Sequence, residues 1–178
     1  YPDRLEMNET AAQRVKADVL KTPQYGLSGS GVTVGVWDGG VVDAHSDFAG
    51  RLTIRDAVTA RSHATHVAGT VAASGVGRAS AEGMAPAAQI WSYDWNNDMP
   101  ELRVAAGSDN VSISNHSYGF RSGWEWNGYG WTDYGGSGFG LYSSVGAELD
   151  DVIADTNVLV FWAAGNDRDD GPDCPSGP

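Results

Sequence analysis

The strongest constraint on the fold is an alternation of strand-like and helix-like segments along the chain. Residues 32–38, VTVGVWD, set Val32, Val34 and Val36 on one face of an extended strand that ends at Asp38. Residues 63–74, HATHVAGTVAAS, predict a helix in which Val67 and Val71 share a face, while Ala64, Ala68, Gly69 and Ala72 let it lie close on a sheet. Residues 88–95 and 110–117 predict strands, and residues 51–57 a weaker one. Residues 143–157 predict the clearest helix: Val145, Leu149, Val152 and Ile153 form its apolar stripe, serines lie at its start and Asn157 suits its C-terminal cap. Residues 158–164, VLVFWAA, are the continuous apolar run expected of a strand buried on both faces. A further helix is predicted over residues 10–21, where Ala11, Val15 and Val19 recur at helical spacing before a turn-rich stretch at 26–31. Strands that alternate with helices imply an α/β domain with a mostly parallel sheet.

Two segments stand outside this pattern. Residues 119–140 hold Trp124, Trp126, Tyr129, Trp131 and Tyr134 among many glycines, which reads as a long loop or hairpin inserted between elements. Residues 167–178 are polar and rich in proline and glycine, and no closing element follows them, so the expectation is a domain cut short. The 178 residues suffice for one domain, with residues 1–25 as its N-terminal segment. The formal charge of −12 argues against a nucleic acid or an anionic membrane as partner, because phosphates are repelled. No apolar run is long enough to span a bilayer, and no signal-peptide pattern opens the chain. Cys174 is the only cysteine, so neither a disulfide framework nor a zinc cluster can form within the chain; it is a free thiol or half of a bridge to something else.

In open parallel sheets, functional residues gather beyond the carboxyl ends of the strands. Here those ends carry Asp38 on a glycine turn, Ser117-Tyr118-Gly119, and Gly165-Asn166, while His63 and His66 open a helix able to face the same edge. Each of these alone is more often structural than chemical.

Together they resemble the subtilisin-like serine protease family, the subtilases. Val34-Gly35-Val36-Trp37-Asp38-Gly39-Gly40 resembles the family's V-x-V-x-D-x-G strand, and His63-Ala64-Thr65-His66-Val67-Ala68-Gly69-Thr70 its H-G-T-H-V-A-G-T helix, with Ala64 in place of glycine. Gly83-Met84-Ala85-Pro86 resembles its G-V-A-P turn, Ile113-Ser114-Asn115-His116-Ser117-Tyr118-Gly119 its substrate-binding strand, and Ala163-Ala164-Gly165-Asn166 its A-A-G-N motif. The resemblance implies a three-layer α/β/α fold with a mostly parallel sheet, and a serine endopeptidase acting on protein or peptide substrates. It implies His63 as general base, Asp38 as its orienting partner and Asn166 as oxyanion donor. The order of Asp38 before His63 along the chain is the order found in subtilisin. Ser117, Tyr118, Gly119, Ala163, Ala164 and Gly165 are implied to bind substrate, the first three as an added strand. His66, one turn after His63, is expected to point into the protein and be held by local hydrogen bonds.

The family's serine lies in a G-T-S-x-A motif, and the 178 residues contain none. Ser117 is a poor substitute, because a nucleophile elbow needs glycine two residues before the serine and the chain has Asn115 there. The expectation is an N-terminal part of the catalytic domain that lacks its last strands and is inactive alone. Its exposed sheet edge is expected to pair with the missing C-terminal half or with another copy. Family resemblance further implies a secreted or exported protein. Calcium is left open: Asp47 resembles a family ligand, but the loop at 74–82 lacks the asparagines that complete the site in some members. Two other readings draw on the same residues. One is a metal-dependent hydrolase using His45, His63, His66, Asp38, Asp43 and Asp47. The other is a non-catalytic peptide- or carbohydrate-binding fragment using the aromatic insertion.

Overall fold

A computed structural model of the chain describes residues 7–119, 123–134 and 140–166. Five strands form one sheet in which every pairing is parallel: β1 (Thr33–Asp38), β2 (Leu52–Ile54), β3 (Gln89–Asp94), β4 (Ile113–His116) and β7 (Leu159–Trp162), in the order β2-β3-β1-β4-β7. The sheet begins at the central β1, passes to the edge strand β2 and back to β3 on one side, then crosses to β4 and β7 on the other. The switch in direction therefore falls beside β1, where ligand crevices form in sheets of this kind.

Helices cover both faces. On one, α3 (Ser62–Ala72) turns Ala64, Ala68 and Ala72 onto Val34, Val36 and Ile90, and all six are buried. Small side chains bring this helix close, and Ala64, which stands where the family motif has glycine, contributes its methyl to that core. On the other face lie α4 (Asp98–Ser108) and α5 (Ser144–Thr156), which contribute Leu102, Ala105 and Val152 to a second core with Trp37 and Tyr93. The architecture is α/β with helices on both sides of a parallel sheet, as expected. At Gly83, which follows α3, an added Cβ would meet the backbone nitrogens of Ala72 and Ala73 at 2.7 Å each, so only glycine lets this turn close on the helix end.

Several expectations are corrected. The helix expected over 10–21 is two pieces, α1 (Met7–Val15) and α2 (Ala17–Leu20), because Lys16 adopts a left-handed conformation with φ of 64°. Helix α4 has no counterpart in the sequence pattern: its Pro100 and Gly107 lower its propensity, yet Pro100 lies in the first turn, where no helical N–H is missed, and burial of Met99, Leu102 and Ala105 carries it. Strand β7 is not buried on both faces. Leu159 and Phe161 are 55% and 53% exposed, because α3 covers β1 and β3 but does not reach this outer strand. The α5 stripe is only partly covered as well: Val152 is fully buried, whereas Val145 and Ile153 are exposed.

The capping expected for α5 holds: the Ser143 hydroxyl accepts from Gly146 N–H, and Asn157 closes the helix in the left-handed region. Within 119–140 the described residues form a hairpin of β5 (Trp124–Trp126) and β6 (Trp131–Asp133). Residues 167–178, and with them Cys174, lie outside the described residues.

Candidate active site

Asp38 ends β1 and is buried, and its Oδ1 accepts the N–H of Gly39 at 2.7 Å. His63 sits in the first turn of α3, directly beyond that strand end. Its Nδ1 lies 2.8 Å from both Asp38 oxygens. A buried carboxylate can only accept here, so Nδ1 carries the hydrogen and Nε2 carries the lone pair. The His63 side chain is 64% exposed, and among the described residues nothing bonds Nε2. The arrangement is an oriented base whose free nitrogen faces outward.

The two segments expected to bind substrate leave adjacent strands side by side. Residues 117–119 follow β4 and residues 163–165 follow β7. Ala163 N–H donates to the His116 carbonyl at 2.9 Å, and Trp162 Nε1 donates to the Tyr118 carbonyl at 2.8 Å. Ala163, Ala164, Gly165, Asn166 and Gly119 are exposed, while Ser117 and Tyr118 are half-buried. Gly165 has φ of 95°, which turns the chain at Asn166 in a way that glycine favours. The Ser117 hydroxyl accepts from Asn115 Nδ2 at 2.8 Å and has no described bond to His63. His66 contradicts its expectation: it is exposed and lines a cavity of about 770 Å³ behind α3. A histidine three residues past His63 falls on the next turn, and here that direction leads out to the cavity rather than into the core. Asp38 and His63 are not among the residues lining this cavity, so the site is defined by its hydrogen bonds.

Behind the Asp38–His63 pair lies a group that the sequence did not reveal. Cross-strand register puts Tyr93, Trp37, His116 and Trp162 at one level of β3, β1, β4 and β7. Their rings stack in that order, with centroids 4.2, 5.1 and 4.3 Å apart and planes within 11° of parallel. Trp37 Nε1 donates to Glu101 at 3.2 Å, and burial with Asp56 nearby pushes the Glu101 carboxyl up to about 7. The only available signal was Trp37 beside Asp38, and a lone tryptophan in a strand reads as core.

His116 is buried, and this pulls its imidazole from 6.5 down to about 4 despite the nearby Asp98 carboxylate. The folded value lies below the unfolded one. The stability that neutral His116 contributes is therefore complete above about pH 6.5 and is lost as pH falls toward 4. Full loss amounts to about 3 kcal/mol. His116→Phe, which keeps a ring in the stack, is expected to flatten this part of the stability–pH curve in urea titrations.

Asp47 is a further buried carboxylate with a dense shell. Oδ1 accepts from the Ser74 hydroxyl at 3.0 Å and from Val76 N–H at 2.8 Å, and Oδ2 faces His45 Nδ1 at 3.3 Å. Burial pushes this carboxyl up, but the hydrogen bonds from Ser74, Val76 and Gly75 and the field of His45 hold it below the ordinary range. Both Asp47 oxygens thus face hydrogen-bond donors or an imidazole, and among the described residues no three His, Cys, Asp or Glu side chains come together. Asp47→Ala, which strands the donors of Ser74 and Val76, is expected to cost about 2 kcal/mol.

The comparisons with known proteins bear on the family and the fold. The model of the subtilase family, Peptidase_S8, matches residues 29–177. Among solved structures the chain is similar to MycP1 from the ESX-1 type VII secretion system, with a TM-score of 0.59, 17% identity, and coverage of 100% of this chain and 50% of that one. It is similar to MycP1 with the N-terminal propeptide removed, with a TM-score of 0.58, 22% identity and coverage of 94% and 52%. It is also similar to MycP1 from Mycobacterium smegmatis, with a TM-score of 0.58, 17% identity and coverage of 100% and 50%. At such identities the likeness is one of fold, and the chain spans about half the length of these neighbours. No curated protein matches it. The family match extends over most of the chain and includes the strand end and helix that bring Asp38 and His63 together: the chain belongs to the subtilase family.

Proposed function

We propose that the chain supplies the base, its orienting carboxylate and the substrate-binding segments of a serine endopeptidase. The observation that carries this reading is the hydrogen bonding of His63 Nδ1 to buried Asp38, with Nε2 left open. In that tautomer Nε2 takes the proton of a serine hydroxyl as its oxygen attacks the peptide carbonyl carbon, then returns the proton to the leaving amine. Asp38 stays ionised and stabilises the imidazolium. Asn166 donates its side-chain amide to the tetrahedral oxyanion, and residues 117–119 pair with the substrate backbone.

The 178 residues contain no G-T-S-x-A motif, so in this reading the nucleophilic serine is not among them. The half-exposed Leu159 and Phe161 on the outer strand β7 support an apolar partner there, either a further part of the domain or a second copy. No described helix is long and apolar enough to cross a membrane. The proposed setting is outside the cytosol, and the secretion-system association of one neighbour supports it.

Residues 1–178 alone are expected to give no acyl-enzyme burst on an activated peptide ester. The natural protein in which they occur is expected to give one, and to lose it on His63→Ala. A burst from residues 1–178, or hydrolysis that survives His63→Ala, overturns the reading.

A peptide- or carbohydrate-binding role has one observation in its favour, the exposure of Trp124, Trp126, Tyr129 and Tyr134 on the hairpin. Binding of either ligand that is abolished by Trp124→Ala and unaffected by His63→Ala supports it.

A further inference from the structure

The sequence motif treats Ser117, Tyr118 and Gly119 as equals, but the structure separates them. We propose that Tyr118 is a positioning residue: its hydroxyl, anchored on Asp98 and His116, and its carbonyl, anchored on Trp162, hold residues 117–119 as a rigid strand on which a peptide substrate pairs. This rests on the peptidase reading above.

The carbonyl of Tyr118 is taken by Trp162 Nε1 at 2.8 Å, so it turns toward β7 and is not offered to a ligand. With the Tyr118 carbonyl committed to Trp162, the exposed Gly119 and the half-buried Ser117 are the neighbours left to meet a peptide. The ring is held edge-on against Trp95, His116 and Trp162, with centroids at 5.6, 5.7 and 5.1 Å.

The polar end has a defined proton order. The Tyr118 hydroxyl donates to Asp98 Oδ2 at 2.7 Å and lies 2.9 Å from His116 Nδ1. A phenol has one hydrogen, and the carboxylate has none to give. Nδ1–H of His116 therefore donates to the phenol oxygen, and Nε2 accepts the Ser114 hydroxyl at 3.1 Å. Chains of this kind, ending on a carboxylate, strengthen each member. Asp98 is itself fixed, since its Oδ1 accepts Met99 N–H at 2.8 Å in the first turn of α4. His116 stacks on Trp37, the residue before Asp38. One scaffold thus sets both the carboxylate that orients the base and the strand that receives the peptide.

The test uses the natural protein, a long peptide that reaches residues 117–119, and a single-residue amide that does not. Tyr118→Phe keeps the ring and removes the hydroxyl. It is expected to raise KM for the long peptide about tenfold and to lower kcat/KM for the short amide by a smaller factor. Asp98→Ala is expected to act likewise, and so is Asp98→Asn, whose oxygen stays on Met99 N–H and whose NH₂ group then faces the Tyr118 hydroxyl without accepting its hydrogen; the double variant Tyr118→Phe/Asp98→Ala is expected to be no worse than either single one. Equal losses on both substrates, unchanged KM, or additive losses in the double variant overturn the proposal.

Exchange of the Trp162 indole hydrogen gives a readout independent of activity. It is expected to quicken about tenfold in Tyr118→Phe, in line with the loss of one charge-assisted hydrogen bond. Unchanged exchange overturns the positioning role even in an active peptidase, whereas quickened exchange in a protein without hydrolysis overturns the peptidase reading alone.

Discussion

Asp38→Asn is expected to lower peptide-hydrolysis turnover in the natural protein by about four orders of magnitude while the protein stays folded. The reason is tautomeric. Asp38 Oδ1 accepts the N–H of Gly39 at 2.7 Å, so the oxygen of an asparagine stays there and its NH₂ group takes the Oδ2 position. That group donates to His63 Nδ1, which now sits 2.8 Å from Oδ2, and the ring hydrogen moves to Nε2. A protonated Nε2 cannot take the hydroxyl hydrogen, whatever the pH above the histidine range. The check is kcat on a peptide amide beside a urea unfolding curve. A loss smaller than tenfold with an unchanged curve removes Asp38 from the chemistry.

Trp37→Ala is expected to give the largest loss of stability, about 3–5 kcal/mol. Trp37 is completely buried, stacks between Tyr93 and His116, and donates its indole hydrogen to Glu101. Truncation opens a cavity in the middle of a four-ring stack and leaves Glu101 without that donor. Against total stabilities of about 5–15 kcal/mol, this is a large share. The measurement is the urea midpoint at constant m-value, and a shift worth under 1 kcal/mol refutes the stack as a stabilising unit. Gly35 belongs to the same account. An added Cβ at Gly35 would come within 2.3 Å of the Trp37 ring, so Gly35→Ala is expected to destabilise through the same contact.

Much of the fold is legible in the sequence because its strands and helices carry their own periodicity. The pattern places β1, β3, β4, α3 and α5 to within about three residues at each end, since alternation and helical spacing are local properties. α4 escapes because its sequence has little amphipathic contrast and its stability comes from burying Met99, Leu102 and Ala105 under the sheet. β7 misleads because an apolar run reports that a strand has a buried face, not how many. His66 misleads because the helix period gives its angle from His63 but not what occupies that direction.

By itself the sequence determined the α/β class, the family, and the pairing of Asp38 with His63, since these follow from local pattern and from motifs that carry their own geometry. Only the tertiary structure decided the strand order β2-β3-β1-β4-β7, the open face of β7, the Tyr93–Trp37–His116–Trp162 stack, and the inward turn of Tyr118. Each depends on which residues of distant strands share a register level. Register is set by how helices on both faces pack against the sheet, and no period within a single strand encodes it.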